Sequence, residues 1–406
     1  VLKLLVDAYS GHRKEVWMLT VLTLINRMGT MVVPFLTVYL TTQRGFDLSQ
    51  AGLLVSAFGF GAFGGAWLGG KFTDLVGPNR VIMASLLIGG GFFILLQWAT
   101  GFAGIFTMIF FSALFGEAYR PAMMAAVGQY ATKAEAGRAM ALQRLAINLG
   151  MSLSPVVGGL VAVSIGYAGL FWIDGLTCIA AAIFFLLVSR NWPSDKPQPK
   201  SESANPSAGA VQVPGPLRNP TYLYFLVGTF FMALGFLQWF HSVPVFIKTE
   251  WGFDERFIGV LMGFNCLIIT LIELPIIHVI ERKGKAHPSL LAGLLCMACS
   301  FLPFLLPVAW YWAYLAMLLL TAGEIFYLPL NNASALKASP AERRGDYLAW
   351  YSMVWSLAQI AGPAVGLHIA ARYGFSVFWW VAAAWVFIGF VMMLLQKRLF
   401  AAPQPA

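Results

Sequence analysis

Gly116-Glu117-Ala118-Tyr119-Arg120-Pro121 sets an acid and a guanidinium inside an otherwise apolar run from Phe102 to Ala131. An echo, Gly323-Glu324-Ile325-Phe326-Tyr327-Leu328-Pro329, follows 207 positions later in a second apolar run. A charge at the centre of a bilayer costs about 3 kcal/mol or more, so such side chains face a polar interior or a partner. Two copies at matched places in two half-chains imply an aqueous path between the halves.

The composition agrees with a chain embedded in lipid. Of 406 residues, 59% are hydrophobic and 11% charged, with a mean hydropathy of +0.75; soluble domains run nearer about 25% charged. Repeated apolar stretches of about 20 residues can each cross a hydrocarbon core of about 30 Å. The net charge of +9 does not mark a nucleic-acid partner, because the basic residues sit in short loops and not on one amphipathic face. Cys178, Cys266, Cys296 and Cys299 all fall in apolar runs. Cys296 and Cys299 form a CxxC with no second pair at zinc spacing, so neither a metal nor a cofactor is expected. The first apolar run, Val16 to Tyr39, is too long for a cleavable signal peptide and lacks a small-residue cleavage site.

Twelve spans are predicted, at 16–40, 51–71, 81–100, 102–131, 140–163, 167–189, 222–247, 257–280, 288–307, 310–336, 347–371 and 375–396. Between the sixth and seventh, Asn191 to Pro220 carries seven prolines among polar residues, the composition of a solvated linker. The expected domains are therefore a six-helix bundle over 1–190, a cytoplasmic linker over 191–220 and a second six-helix bundle over 221–406. Nineteen of the 26 Lys and Arg fall on the side of the amino terminus, four on the opposite side and three inside spans. That asymmetry predicts both termini in the cytoplasm, in the plasma (inner) membrane.

The halves repeat. Gly45-Phe46-Asp47 recurs as Gly252-Phe253-Asp254, and Asp74 with Gly77 as Glu281 with Gly284. Ala134-Glu135 answers to Ala341-Glu342, and Pro155 with Gly158 to Pro363 with Gly366, every offset being 207 or 208. Parallel repeats about an axis normal to the membrane are a known transporter design, with the site near the midplane.

The loop Gly70-Lys71-Phe72-Thr73-Asp74-Leu75-Val76-Gly77-Pro78-Asn79-Arg80 resembles the signature between the second and third helices of the major facilitator superfamily. Gly70, Asp74, Gly77 and Arg80 match it; Leu75, Pro78 and Asn79 stand where basic residues are usual. Gly150-Met151-Ser152-Leu153-Ser154-Pro155-Val156-Val157-Gly158-Gly159 is similar to that superfamily's fifth-helix antiporter motif, with Ser154 replacing a glycine. Gly116 to Pro121 resembles the fourth-helix motif of proton-dependent oligopeptide transporters, with Arg120 at the lysine position, and Gly323 to Pro329 their tenth-helix motif. Asn26-Arg27 keeps the arginine of that family's first-helix motif and lacks its acids. Twelve-helix drug:proton antiporters carry arginine-glycine first helices and similar tenth helices, so the resemblance implies proton-driven export of small amphipathic molecules. Proton-coupled uptake of peptides or zwitterions is the alternative. A monomer rocking its two halves around a central site is the cycle implied, with the Asp74 loop as a cytoplasmic latch.

Depth along a helix, at about 1.5 Å per residue, sets the candidate site. Asn26 and Arg27 lie about 15 Å into the first span, and Glu117 and Glu324 each about 20 Å into theirs. Arg27, Glu117, Arg120 and Glu324 are therefore expected in one layer, where proton and substrate compete for a carboxylate. The plainer reading of Glu117 and Arg120 is a structural i, i+3 pair. Tyr119, Tyr327, Asn331, Trp355 and Gln359 complete the predicted pocket, adjacent amides such as Asn331-Asn332 needing partners in hydrocarbon. Asn148, Asp174, Trp239, His241, Asn265 and Glu273 form a second rank; His241 is placed near the outer end of its span. No HExxH, GxSxG or P-loop pattern supports an enzyme.

Overall fold

A computed structural model describes residues 12–131, 136–190, 192, 214–340 and 343–396, all helix and turn with no strand among them. Most of the predicted linker, and the Ala134-Glu135 and Ala341-Glu342 repeat pair, lie outside the described residues. Among the described residues, eleven helical segments are long and apolar enough to cross a membrane. The last, Arg344–Leu395, has 52 residues, which at 1.5 Å each gives about 78 Å, more than twice a hydrocarbon core. It turns at Gly374, φ 82° and ψ 161°, a conformation that only glycine adopts without strain. The segments on either side are two spans, which makes twelve.

Packing groups the chain into two compact units. One comprises Val1–Tyr39, Ala57–Lys200 and Phe253–Thr270; the other comprises Leu40–Ser56, Ser201–Gly252 and Leu271–Ala406. In the first unit, glycines bring helices within backbone contact. Along the second span (Leu48–Val76), Gly61, Gly65 and Gly69 lie against Phe110, Leu114 and Ala118 of the fourth (Gly101–Tyr130). A Cβ at Gly65 would sit 2.3 Å from the Leu114 carbonyl oxygen. Such small-residue rows are how helices approach closely where lipid offers no hydrophobic drive.

The fifth span, Ala136–Ser164, uses its predicted motif in the same way. Gly150 faces Arg27, Gly158 faces Phe35, and Gly159 meets the Glu255 backbone. Tyr167 at the start of the sixth span (Tyr167–Ser189) donates to the buried Glu255 carboxylate at 2.6 Å.

The second unit is dominated by rings. Trp379 stacks among Phe301, Phe304, Phe375 and Phe378, with centroids 4.9 to 6.0 Å away, and its own surface is fully buried. Gln238 of the seventh span (Pro220–Thr249) donates to the Gly362 carbonyl at 2.9 Å, filling the space that Gly366 leaves open.

Candidate functional site

Two helix breaks position the polar groups of the first unit. The first span is helical over Lys14–Met28 and again over Val32–Val38, then winds as a π-helix over Tyr39–Gln43. Pro34 lacks the N–H that would bond the Thr30 carbonyl, and Gly29 resists helix weakly, so the ladder opens between them. Other spans take up the freed groups. The Ser154 hydroxyl donates to the Thr30 carbonyl at 2.5 Å, and the Val32 N–H donates to Asp174 Oδ2 at 3.2 Å. In the fourth span, Pro121 removes the partner of the Glu117 carbonyl, and the helix interrupts at Ala118.

These breaks face one cavity of about 50 Å³, lined on its polar side by Asn26, Arg27, Ser85, Glu117 and Asp174. Every lining residue belongs to the first unit. Asp174 is 2% exposed. Arg27 acts electrostatically on Asp174, Tyr119 and Cys178, yet its Nε is buried with no hydrogen-bond partner among the described residues. Glu117 holds Arg120 at 3.6 Å, with side chains 20% and 70% exposed; the i, i+3 pair expected from the sequence is present.

Tyr119 turns away from this cavity into a directed hydrogen-bond chain. Thr23 has one hydroxyl proton, and it goes to Gln143 Oε1 at 2.7 Å. Tyr119 is therefore the donor in its 3.1 Å bond to Thr23. Gln143 Nε2 donates to Thr20 Oγ1 at 3.2 Å, and Thr20 to the Val16 carbonyl at 2.7 Å. The second unit carries a counterpart. Thr229 donates to Asn331 Oδ1 at 3.4 Å, Asn331 Nδ2 donates to Tyr351 at 3.1 Å, and Tyr351 donates to Asn332. Gln143 and Tyr351 stand 208 positions apart, an offset of the repeat, whereas Thr23 and Thr229 stand 206 apart.

The structure thus gathers Asn26, Arg27, Glu117 and Asp174, with Asn26 Nδ2 3.6 Å from Cys178 Sγ, and sets Arg120 at an exposed position. Glu324, Tyr327, Asn331, Trp355 and Gln359 belong to the second unit. Glu324, Tyr327 and Asn331 are buried there, Trp355 and Gln359 half-buried. Trp239 is part of the ring cluster and donates to Ser300 Oγ at 3.2 Å. His241 is 3% exposed inside its bundle. Asn148 is half-buried; Asn265 and Glu273 are buried. Asp74 is exposed at the end of the second span, while Gly70 has open space around it. Gly77 adopts φ 90° with Pro78 opening the next helix, and Arg80 is exposed.

Sequence reasoning missed Ser85, Thr23 and Glu255. A lone hydroxyl or a terminal acid carries no spacing signal.

The chain's sequence matches the model of the Major Facilitator Superfamily over residues 17–363 and 242–405. It is 22% identical over 378 residues to a Na(+), Li(+), K(+)/H(+) antiporter of Planococcus maritimus, covering 86% of this chain and 88% of that protein. It is 26% identical over 399 residues to the multi-drug resistance efflux pump PmrA homolog of Lactococcus lactis subsp. lactis, covering 91% and 93%. A solved POT family transporter in complex with 5-aminolevulinic acid shares the fold, with a TM-score of 0.81 at 14% identity over 96% of this chain and 98% of that one. Both resemblances read from the sequence, to antiporters and to oligopeptide transporters, recur among these proteins. Twelve apolar spans in two repeated halves, with charges gathered inside them, are those of a membrane transporter, and the chain belongs to the Major Facilitator Superfamily.

Proposed function

We propose that this protein is a proton-coupled secondary transporter that exports small amphipathic or drug-like molecules by alternating access. The observation that carries the reading is the cavity inside the first unit, where Arg27 faces the two acids Glu117 and Asp174. Ionisable side chains at this depth mark ion and proton pathways. With Glu117 also paired to Arg120, Asp174 is the cavity carboxylate left for a proton or a cationic substrate. The relatives named as an efflux pump and as a cation/proton antiporter support export in exchange for protons. The protein then works as a monomer in the cytoplasmic membrane, both termini inside, as its basic loops suggest.

Proteoliposomes with an imposed pH gradient test this reading, with ethidium and a dipeptide as probes. Ethidium moving against the proton flow supports export. Dipeptide entering with an inward proton gradient replaces it with zwitterion uptake, the second reading, which the tenth-span Gly323-Glu324 sequence favours. Flux indifferent to the gradient removes proton coupling altogether.

A further inference from the structure

The two acids of the cavity are not held alike. Glu117 has a guanidinium 3.6 Å away, whereas Asp174 makes no ion pair with any described residue and is held by backbone N–H groups alone, Val32 at 3.2 Å and Met31. A carboxylate taken out of water needs a close partner to remain ionised. Asp174, only 2% exposed, has backbone N–H and a more distant Arg27. Two further groups on the same cavity, Arg27 Nε and Ser85 Oγ, are buried without partners among the described residues. Buried polar atoms are satisfied by protein, water or ligand, so a cavity presenting an N–H, a hydroxyl and a carboxylate is one that takes up water.

We propose that Asp174 is the carboxyl that takes up and returns the transported proton, and that its charge state sets the break in the first span. The step is a single transfer: a proton leaves cavity water for a carboxylate oxygen of Asp174, and the reverse restores the anion. Ionised, Asp174 accepts the Val32 N–H as a charge-assisted bond and balances Arg27. Protonated, it holds Val32 less tightly, and the Arg27 guanidinium is left with Glu117 as the cavity's remaining negative group. The charged and titratable groups around Asp174 are Arg27 from the first span, Glu117 from the fourth and Cys178 one turn along its own helix; the third span brings Ser85 and apolar residues. Because the first span is opened at Gly29 to Met31, the change at Val32 moves a segment already freed from the helical ladder.

The inference rests on the proposed proton coupling, and two measurements separate the two. Infrared pH titration of the full chain in liposomes, without substrate, is expected to show a carboxylic-acid band in the wild type and in Glu324→Gln that is lost in Asp174→Asn. In proteoliposomes, Asp174→Asn is expected to lose gradient-driven ethidium movement, and Asp174→Glu to regain it with a shifted pH profile. If Asp174→Asn does not fold, the shift in Asp174→Glu carries the test. Wild-type-like gradient-driven flux in Asp174→Asn, an unshifted profile in Asp174→Glu, or a band that survives Asp174→Asn overturns the assignment. An Asp174 band without gradient-driven flux of ethidium or dipeptide overturns the transport reading while leaving Asp174 as the titrating group.

Discussion

The Thr23 hydroxyl donates to Gln143 Oε1 at 2.7 Å, and this one bond fixes the direction of every other proton in the chain from Tyr119 to Val16. Thr23→Val keeps the shape and strands both Tyr119 and Gln143. Interhelical hydrogen bonds in membranes are worth about 0.6 kcal/mol on average and up to about 1.7. With two bonds lost, a destabilisation near the upper figure is expected, read as a lower melting temperature in detergent. An unchanged melting temperature would show the chain to be dispensable.

Gly29 stands so close to the sixth span that an added Cβ would lie 1.9 Å from Thr177 Oγ1 and 2.9 Å from its Cβ. Gly29→Ala is expected to lower both stability and transport. The double variant Gly29→Ala, Thr177→Ala removes the first clash and leaves the second, so partial recovery should follow. No recovery at all would mean that the clash is not the cause.

Gly77 turns the chain from the second to the third span at φ 90°, where a side chain costs about 1–2 kcal/mol. Gly77→Ala should lower the stability by about that much, read as a lower melting temperature, whatever its effect on transport. Asp74→Asn leaves this turn intact, so it is expected to slow transport at constant stability. A normal rate in Asp74→Asn would dismiss the latch.

Glu324 is 5% exposed. Glu324→Gln keeps the shape and removes the charge, so gradient-driven ethidium flux is expected to fall, with the melting temperature measured alongside. A strongly destabilised Glu324→Gln would assign the residue to structure instead.

How much of this was legible beforehand depended on the range of each signal. Spans, halves and the acids within them come from hydropathy and a repeat of fixed offset, both of which survive in one dimension. The opening of the first span was encoded in Gly29 and Pro34, but a proline near the start of an apolar run also reads as a tolerated kink. What holds the opening comes from residues 124 and 142 positions away, and no local pattern reports them. Ser154 shows the limit most clearly. Beside the antiporter motif it reads as a departure from glycine, whereas in the fold it is the donor that satisfies Thr30.

The turn at Gly374 has a practical corollary. Two crossings joined through a single residue expose almost no chain to the aqueous side, so a tag, epitope or protease site placed there would have to be accommodated by dragging helix ends out of lipid. Surface labels meant to report on this protein in living cells belong at other connections.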